Sequence, residues 1–459
     1  MNHQYGPKGR DVSRRDFLRM ATRGAAMGAS IGALGSASLL RAASSASGSY
    51  KALVVMYLAG GNDSFNMVVP TNAGPYADYE ESRQNLAIPQ GDLLPIVPAT
   101  FDGNSYGMHP SLTGMKSLFD RGKLAITANV GNLVRPVTKS QYAAGSVPLP
   151  PRLFSHNDQQ SQSMKVAADR NNAIGWGGAI ADQLVSMNGG STLSPSITVA
   201  GSTPLLTGVT TQAYHLGTSG SVALSGLGGN TGAALSGTLD ILRAQAQSNP
   251  LAQQFAATRG EAIELDSLIS SALDGAAPLT TIFPEGSNTA AQLSMVARMI
   301  AVQGSLGLER QVFFVRKGGF DTHSDQLAAQ PVLYGDVSAS IAAFYQAMEE
   351  LGCENNVTLA VVSEFGRTLS SNGQGTDHGW GGHFVTVGGA VAGGDIYGAM
   401  PSFVLRGDDD SGSGRMIPTT GTDQFSATLA RWFGVPDGQL STVFPNLGNF
   451  GTTHLGFMG

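Results

Sequence analysis

An α/β fold with a central, mostly parallel sheet and helices on both faces is what this 459-residue sequence predicts. Three observations carry that expectation. Apolar, β-branched runs of strand length recur along the chain, they are near-continuously hydrophobic rather than alternating, and segments of helical periodicity lie between them. Continuous runs fit parallel strands covered on both faces, and strand alternating with helix fits a layered α/β domain.

Taken in order, the strand-like runs are Ala52–Leu58, Leu124–Val130, Ser196–Ala200, Gln311–Arg316, Val357–Ser363 and Phe384–Gly388. The helical patterns are Ser111–Arg121, Ile174–Met187, Gly237–Gln247, Leu251–Leu273, Thr289–Val302, Gln326–Leu351 and Thr422–Phe433. Two stretches interrupt the rhythm. Asn72–Asn104 is a long connection containing Pro and polar residues, and Gly201–Gly237 is dominated by Gly, Ser and Thr. Loops of that length inside a compact domain are usually functional or mobile. The second leads into the helix pair 237–273, so residues 201–275 read as a Gly/Ser-rich insertion with a helical cap on a single domain spanning 47–459.

Composition narrows the function classes. Charged residues make up only 13% of the chain, hydrophobic ones 42%, and there are 61 glycines, which excludes a coiled coil, a charge-driven disordered protein and a basic nucleic-acid binder. The one cysteine, Cys353, makes no internal disulfide and no Cys/His zinc framework exists. Any metal must therefore be held by Asp, Glu, His and hydroxyls.

The N-terminus reads as an address. Ser13-Arg14-Arg15-Asp16-Phe17-Leu18-Arg19 is followed by an uncharged run, Gly24–Leu40, the pattern of a twin-arginine signal peptide. That run is shorter than the roughly 20 apolar residues of a spanning helix, so no permanent membrane span is expected. Small residues at Ser44 and Ala46 place cleavage after Ala46, giving a leader of residues 1–46. The expected partner is the twin-arginine translocase, and the expected destination is the periplasm or the extracellular space. Seven of the 27 basic and two of the 33 acidic residues belong to the leader, so processing moves the formal net charge from −6 to −11. An acidic mature chain disfavours nucleic acid as a partner.

In open α/β sheets, ligands gather beyond the carboxyl ends of the strands. The residues there are Gly60-Gly61-Asn62-Asp63, Gly318-Gly319-Phe320-Asp321-Thr322-His323, Glu364-Phe365-Gly366-Arg367 and Thr376-Asp377-His378, with His383 close behind. Carboxylate and imidazole together suit ions such as zinc or manganese, an all-oxygen subset suits calcium or magnesium, and these residue types leave one or two divalent ions open. Other readings exist. The Asp63 segment is also an ordinary turn, and Glu364 with Arg367 is also a structural ion pair. His109 and His156 sit near predicted helix starts, where capping or packing equally accounts for them; His215 and His454 lie outside the cluster. Asp377-His378 between glycines is the pair least explained by packing.

The twin-arginine start, Gly60-Gly61-Asn62-Asp63-Ser64-Phe65-Asn66, His109-Pro110-Ser111-Leu112, Gly319-Phe320-Asp321-Thr322-His323, Ser363-Glu364-Phe365-Gly366-Arg367-Thr368, Asp377-His378-Gly379-Trp380-Gly381-Gly382 and Arg431-Trp432-Phe433-Gly434 together resemble the DUF1501 family. That family of exported bacterial proteins of unknown function looks like a relative of the alkaline phosphatase and sulfatase superfamily. The resemblance implies an alkaline-phosphatase-like sheet, bound metal and hydrolysis of phosphate or sulfate esters through a Ser, Thr or modified Cys nucleophile. It further implies that Asp63, Asp321, His323, Glu364, Asp377, His378 and His383 hold the metal. Arg367 would neutralise an ester oxygen. The departure is the nucleophile: neither a Cys-x-Pro-x-Arg nor an Asp-Ser-Ala signature is present. Ser155, ahead of a helix predicted over Asp158–Ala168, is the best-placed hydroxyl because a helix N-terminus stabilises an oxyanion, with Thr138 and Ser140 as competitors. The leading expectation is thus an exported metal-dependent hydrolase acting on a small anionic ester. The alternative is a non-catalytic, metal-containing binding or assembly protein of the cell envelope. A dinucleotide-dependent oxidoreductase is disfavoured, since Gly60-Gly61-Asn62-Asp63 lacks the spaced glycines of that fingerprint.

Overall fold

Eight residues, Lys51–Leu58, supply seven buried side chains in succession, and a strand with nothing to show to water must be covered on both faces. The computed structural model, which describes residues 50–100, 102–166, 173–221 and 249–459, places this strand in the middle of a ten-stranded sheet. In chain order the strands are β1 (Lys51–Leu58), β2 (Val68–Pro70), β3 (Leu94–Ile96), β4 (Tyr106–Met108), β5 (Leu124–Gly131), β6 (Ser196–Thr198), β7 (Tyr214–Gly217), β8 (Gly220–Ser221), β9 (Arg310–Lys317), β10 (Val357–Val362), β11 (Gly382–Gly388), β12 (Asp395–Tyr397) and β13 (Thr420–Gly421). The helices are α1 (Ala73–Arg83), α2 (Thr113–Asp120), α3 (Lys139–Ala144), α4 (His156–Met164), α5 (Trp176–Leu184), α6 (Pro250–Asp274), α7 (Asn288–Ala301), α8 (Gln326–Glu350), α9 (Thr422–Phe433) and α10 (Asp437–Val443).

The strand order is β12-β5-β11-β10-β1-β9-β6-β7-β8, with β13 beside β5. Period-two alternation along β1 divides the core. Ala52, Val54, Met56 and Leu58 pack with Met115 and Phe119 of α2, Leu293 and Val296 of α7 and Ile341 and Phe344 of α8. Leu53, Val55 and Tyr57 pack on the other face with Trp176 and Ile180 of α5 and Phe425 and Leu429 of α9. Each such buried aliphatic or aromatic side chain contributes about 1.5–3 kcal/mol.

The sheet is mostly parallel, as the sequence predicts, and the first long connection departs from the sequence reading. β11 runs antiparallel to both β10 and β5, and β8 antiparallel to β7, so the sheet is mixed, though mostly parallel. A fully buried run has the same composition in either direction. Within Asn72–Asn104, α1 and β3 interrupt the expected loop, and β3 joins β2 and β4 in a separate three-stranded antiparallel sheet. Helix α4 begins at His156, two residues before its expected start. The leader expected over residues 1–46 and the helix expected over Gly237–Gln247 lie outside the described residues. Of the expected cap, α6 is described, and its Ile269 and Leu273 enter the core beside α7. Among the described residues no helix is long and apolar enough to cross a membrane.

Because β11 is antiparallel to both neighbours, β5 points the same way as β10, β1 and β9. The loops that follow these four strands therefore emerge at one edge. They pack backbone to backbone there. Gly60 has φ +122°, and a Cβ on it would lie 2.2 Å from the backbone nitrogen of Asp321. Neither conformation nor space admits a side chain. Gly60→Ala is expected to lower unfolding stability by about 2 kcal/mol or more in urea titration, since strain at positive φ adds to overpacking.

Candidate metal centre

Each side chain at this edge is placed by its own local structure. After β9 the chain runs through Gly318 and Gly319 to Asp321 and His323, with the Phe320 amide donating to the Ala59 carbonyl at 3.2 Å. The loop after β10 carries Glu364 and Arg367 and returns through Gly375, whose missing Cβ would lie 2.1 Å from the Thr322 carbonyl oxygen. That approach lets the Thr376 amide donate to Thr322 at 3.1 Å, joining the loop of His378 to the loop of His323. A third segment descends from β5 and reaches α4 through two non-glycine residues at positive φ, Arg152 at +50° and Phe154 at +71°. Such conformations cost about 1–3 kcal/mol each and cluster at functional sites. Here they end on His156, the first residue of α4.

Three imidazoles converge on the Asp321 carboxylate. Nε2 of His323 and of His378 lie 3.1 and 3.2 Å from Asp321 Oδ1, and 3.0 Å from each other. Nε2 of His156 lies 3.4 Å from Asp321 Oδ2 and is buried with no hydrogen-bond partner among the described residues. The opposite nitrogen of every ring faces an acceptor: Nδ1 of His156 meets Glu364 Oε1 at 2.9 Å, Nδ1 of His323 meets Asp377 Oδ1 at 3.0 Å, and Nδ1 of His378 meets the Phe154 carbonyl at 2.7 Å. Carbonyls and ionised carboxylates only accept, which assigns the proton of each neutral ring to Nδ1 and leaves its Nε2 lone pair facing Asp321. Lone pairs and a carboxylate gathered in this way repel unless a cation lies among them.

The donor set fits a divalent ion. Ligand atoms of His156, Asp321 and His378 all lie within 4.8 Å of one another, and His323 joins them at the distances above. Tetrahedral bonds of about 2.0–2.1 Å place neighbouring donors about 3.3 Å apart, close to the 3.0–3.2 Å separations of His323, His378 and Asp321. Carboxylate–imidazole–metal relays of the Glu364–His156 and Asp377–His323 kind are the usual second layer of such centres.

Electrostatics agrees with this arrangement. The hydrogen bond to Glu364 raises the pKa of His156 above its ordinary value, against desolvation. Glu364 is fully buried, and desolvation pushes its carboxyl up. Hydrogen bonds from His156, Gln160 and the Gly60 amide outweigh that and hold it below the usual range. Asp321 shows the same balance: desolvation raises its carboxyl, and the Arg367 guanidinium 2.6 Å away brings it down. Burial and the neighbouring His156 lower His378, favouring the neutral ring. Phe365 backs the cluster, its ring centroid 4.9 Å from those of both His156 and His378. The side chains of Asp321 and His323 remain 46% and 44% exposed, so the centre opens to solvent.

Of the residues expected to hold metal, Asp321, His323 and His378 come together, while Glu364 and Asp377 stand behind histidines as hydrogen-bond acceptors. Asp63 and His383 lie elsewhere. Asp63 is buried against Arg83 and Gln326, so its charge serves an internal pair. His383 is buried edge-on to Phe65, its Nδ1 accepts from the Asn129 amide at 3.0 Å, and burial lowers its pKa to about 3. Arg367 is fully buried; it donates to Asp321, to the Gly60 carbonyl and to both Thr376 oxygens, so its hydrogen bonds go to internal acceptors and it braces Asp321. The Ser155 hydroxyl, at the N-cap of α4, donates to Asp158 in the first turn of that helix, at 2.7 Å. His156 is the residue that strand-end reasoning passes over, because it follows β5 by 25 positions; its place at a helix start was the available signal.

No protein of curated function matches the sequence. Among solved structures, the chain is similar to the lipoteichoic acid synthase LtaP from Listeria monocytogenes, at 8% identity over 84% of this chain and 73% of that one, TM-score 0.33. It is similar to the PsFucS1 sulfatase from Pseudoalteromonas sp., at 10% identity over 89% and 70%, TM-score 0.33. It is also similar to the C-terminal periplasmic domain of EcEptC from Escherichia coli in complex with Zn, at 9% identity over 74% and 73%, TM-score 0.29. The family model described as "Protein of unknown function (DUF1501)" matches residues 50–439, and the protein belongs to that family.

Proposed function

We propose that this protein is an exported hydrolase of phosphate or sulfate esters that works with one divalent ion held by His156, Asp321, His323 and His378. The observation that carries the reading is the set of three Nδ1-bonded imidazoles whose Nε2 atoms face one carboxylate. Imidazole-rich donors favour zinc and related transition ions over calcium or magnesium. When bound, such an ion supplies Lewis-acid polarisation and an acidified water. The chain's own residues do the rest: Glu364, Asp377 and the Phe154 carbonyl hold the rings, Arg367 holds Asp321, and the solvent-facing side admits the ester. Hydrolysis joins the water oxygen to phosphorus or sulfur and breaks the bond to the alcohol oxygen. One water proton ends on the alcohol and the other on the released phosphate, or in solvent for sulfate. The twin-arginine leader supports export to the periplasm or beyond.

The test is turnover of chromogenic phosphate monoester, phosphate diester and sulfate ester by zinc- or manganese-loaded protein, with loss on chelation. Loaded protein that turns over none of the three refutes the proposal. It would favour a non-catalytic binding or assembly role, which the engagement of Ser155 with Asp158 supports. Because that hydroxyl is committed to Asp158, Ser155→Ala is expected to keep at least half of the wild-type kcat/KM. A loss beyond 100-fold would instead make Ser155 the attacking group.

A further inference from the structure

Arg367 gives its hydrogen bonds to internal acceptors, and a second arginine stands beside the centre. Arg415 donates from Nε to the carbonyl of His378 at 3.0 Å, and its guanidinium lies 4.5 Å over the ring of Phe154. Phe154 in turn accepts the Nδ1 proton of His378 at 2.7 Å. Arg415, Phe154 and His378 thus form a closed cycle in which the cation is tied to the backbone and ring of one member of the His cluster. The loop bearing Arg415 is held as well. The Ser411 amide and hydroxyl both donate to the Arg415 carbonyl, at 2.9 and 2.8 Å, and the Leu369 amide donates to Gly414 at 2.7 Å.

Unlike three other arginines of the chain, Arg415 has no counter-charge among the described residues. Arg83 is paired with Asp63, Arg367 with Asp321, and Arg152 has Asp158 at 3.9 Å. Arg415 is half-buried, and among the described residues it has no carboxylate within ion-pair distance and no acceptor at its terminal nitrogens. A partly desolvated charge with no partner is unfavourable until an anion meets it. A guanidinium held flat on an aromatic ring presents its terminal N–H groups as a fork, which matches two oxygens of a phosphoryl or sulfuryl group.

We infer that Arg415 is the substrate-binding residue that receives the anionic phosphoryl or sulfuryl head at the metal centre. This rests on reading the centre as hydrolytic, and the test separates the two ideas. Zinc-loaded wild type, Arg415→Gln and Arg415→Lys are titrated with inorganic phosphate by calorimetry, with bound zinc measured in each. The expected result is a 10- to 100-fold weaker affinity in Arg415→Gln at unchanged zinc content, with partial recovery in Arg415→Lys. In ester turnover the same change raises KM more than it lowers kcat. Wild-type affinity in Arg415→Gln, or no phosphate binding by wild type at millimolar concentration, overturns the inference. If Arg415→Gln loses its zinc, undiminished affinity in zinc-retaining Arg415→Lys overturns it equally, because an ammonium lacks the fork. Arg415-dependent phosphate binding without turnover of any ester supports the inference and refutes only the hydrolytic reading.

Discussion

Asp321→Asn is expected to empty the metal centre, with affinity for zinc falling by at least about 10³-fold, beyond the 10–100-fold typical of second-layer changes. Asp321 is the one group that all three imidazoles and Arg367 share. Removing its charge leaves the three rings beside a buried guanidinium that has lost its ion-pair partner. A cation placed there then meets repulsion from Arg367 without the carboxylate that offset it. Elemental analysis after dialysis reads the effect directly. Glu364→Gln serves as the graded comparison, since it weakens the hold on His156 without removing a donor, and a 10- to 100-fold loss is expected. Zinc retained at full stoichiometry by Asp321→Asn would show that the ion sits elsewhere.

Asp63→Ala is expected to act on folding and not on the ion. Arg83 is fully buried; it donates to Asp63, to Asn66 Oδ1 at 3.0 Å and to the carbonyls of Thr368 and Leu369 at 3.1 and 3.2 Å. Deleting this carboxylate, the one in ion-pair contact with Arg83 among the described residues, leaves a guanidinium charge uncompensated in the interior, which costs about 3–5 kcal/mol. Urea unfolding of metal-free protein measures this. The double substitution Asp63→Ala with Arg83→Met should recover part of the loss, because it removes the orphaned charge. A single variant that unfolds like wild type but binds no metal would return Asp63 to the ligand set.

These two aspartates show how far sequence reasoning reaches. Both follow a central strand, both stand near glycines, and both resemble ligands by position. Spacing within about ten residues does not reveal that Asp63 is answered by Arg83 from α1 and Gln326 from α8, whereas Asp321 is answered by histidines from three separate segments. The same limit applies to Arg367 and Arg415. Arg367 lies in the recognisable segment and is consumed internally, while Arg415 lies in an acidic, Gly-rich loop with no motif of its own.

The sequence by itself determined the two-faced α/β sheet, the edge where the polar loops emerge, the exclusion of an internal disulfide and of a Cys/His zinc framework, and Asp321, His323 and His378 as candidate ligands. Those are matters of local hydrophobicity, residue type and strand ends, all of which a short window contains. Only the tertiary structure decided that β11 runs antiparallel, that Glu364 and Asp377 orient histidines, that Asp63 and His383 are internal, and that His156 completes the cluster. Each of those depends on which partner, often 200 or more residues away, reaches a given nitrogen or oxygen, as with His156 and Glu364 at a separation of 208. A charge takes its role from its nearest opposite in space, and that neighbour is set by how the strands are ordered in the sheet.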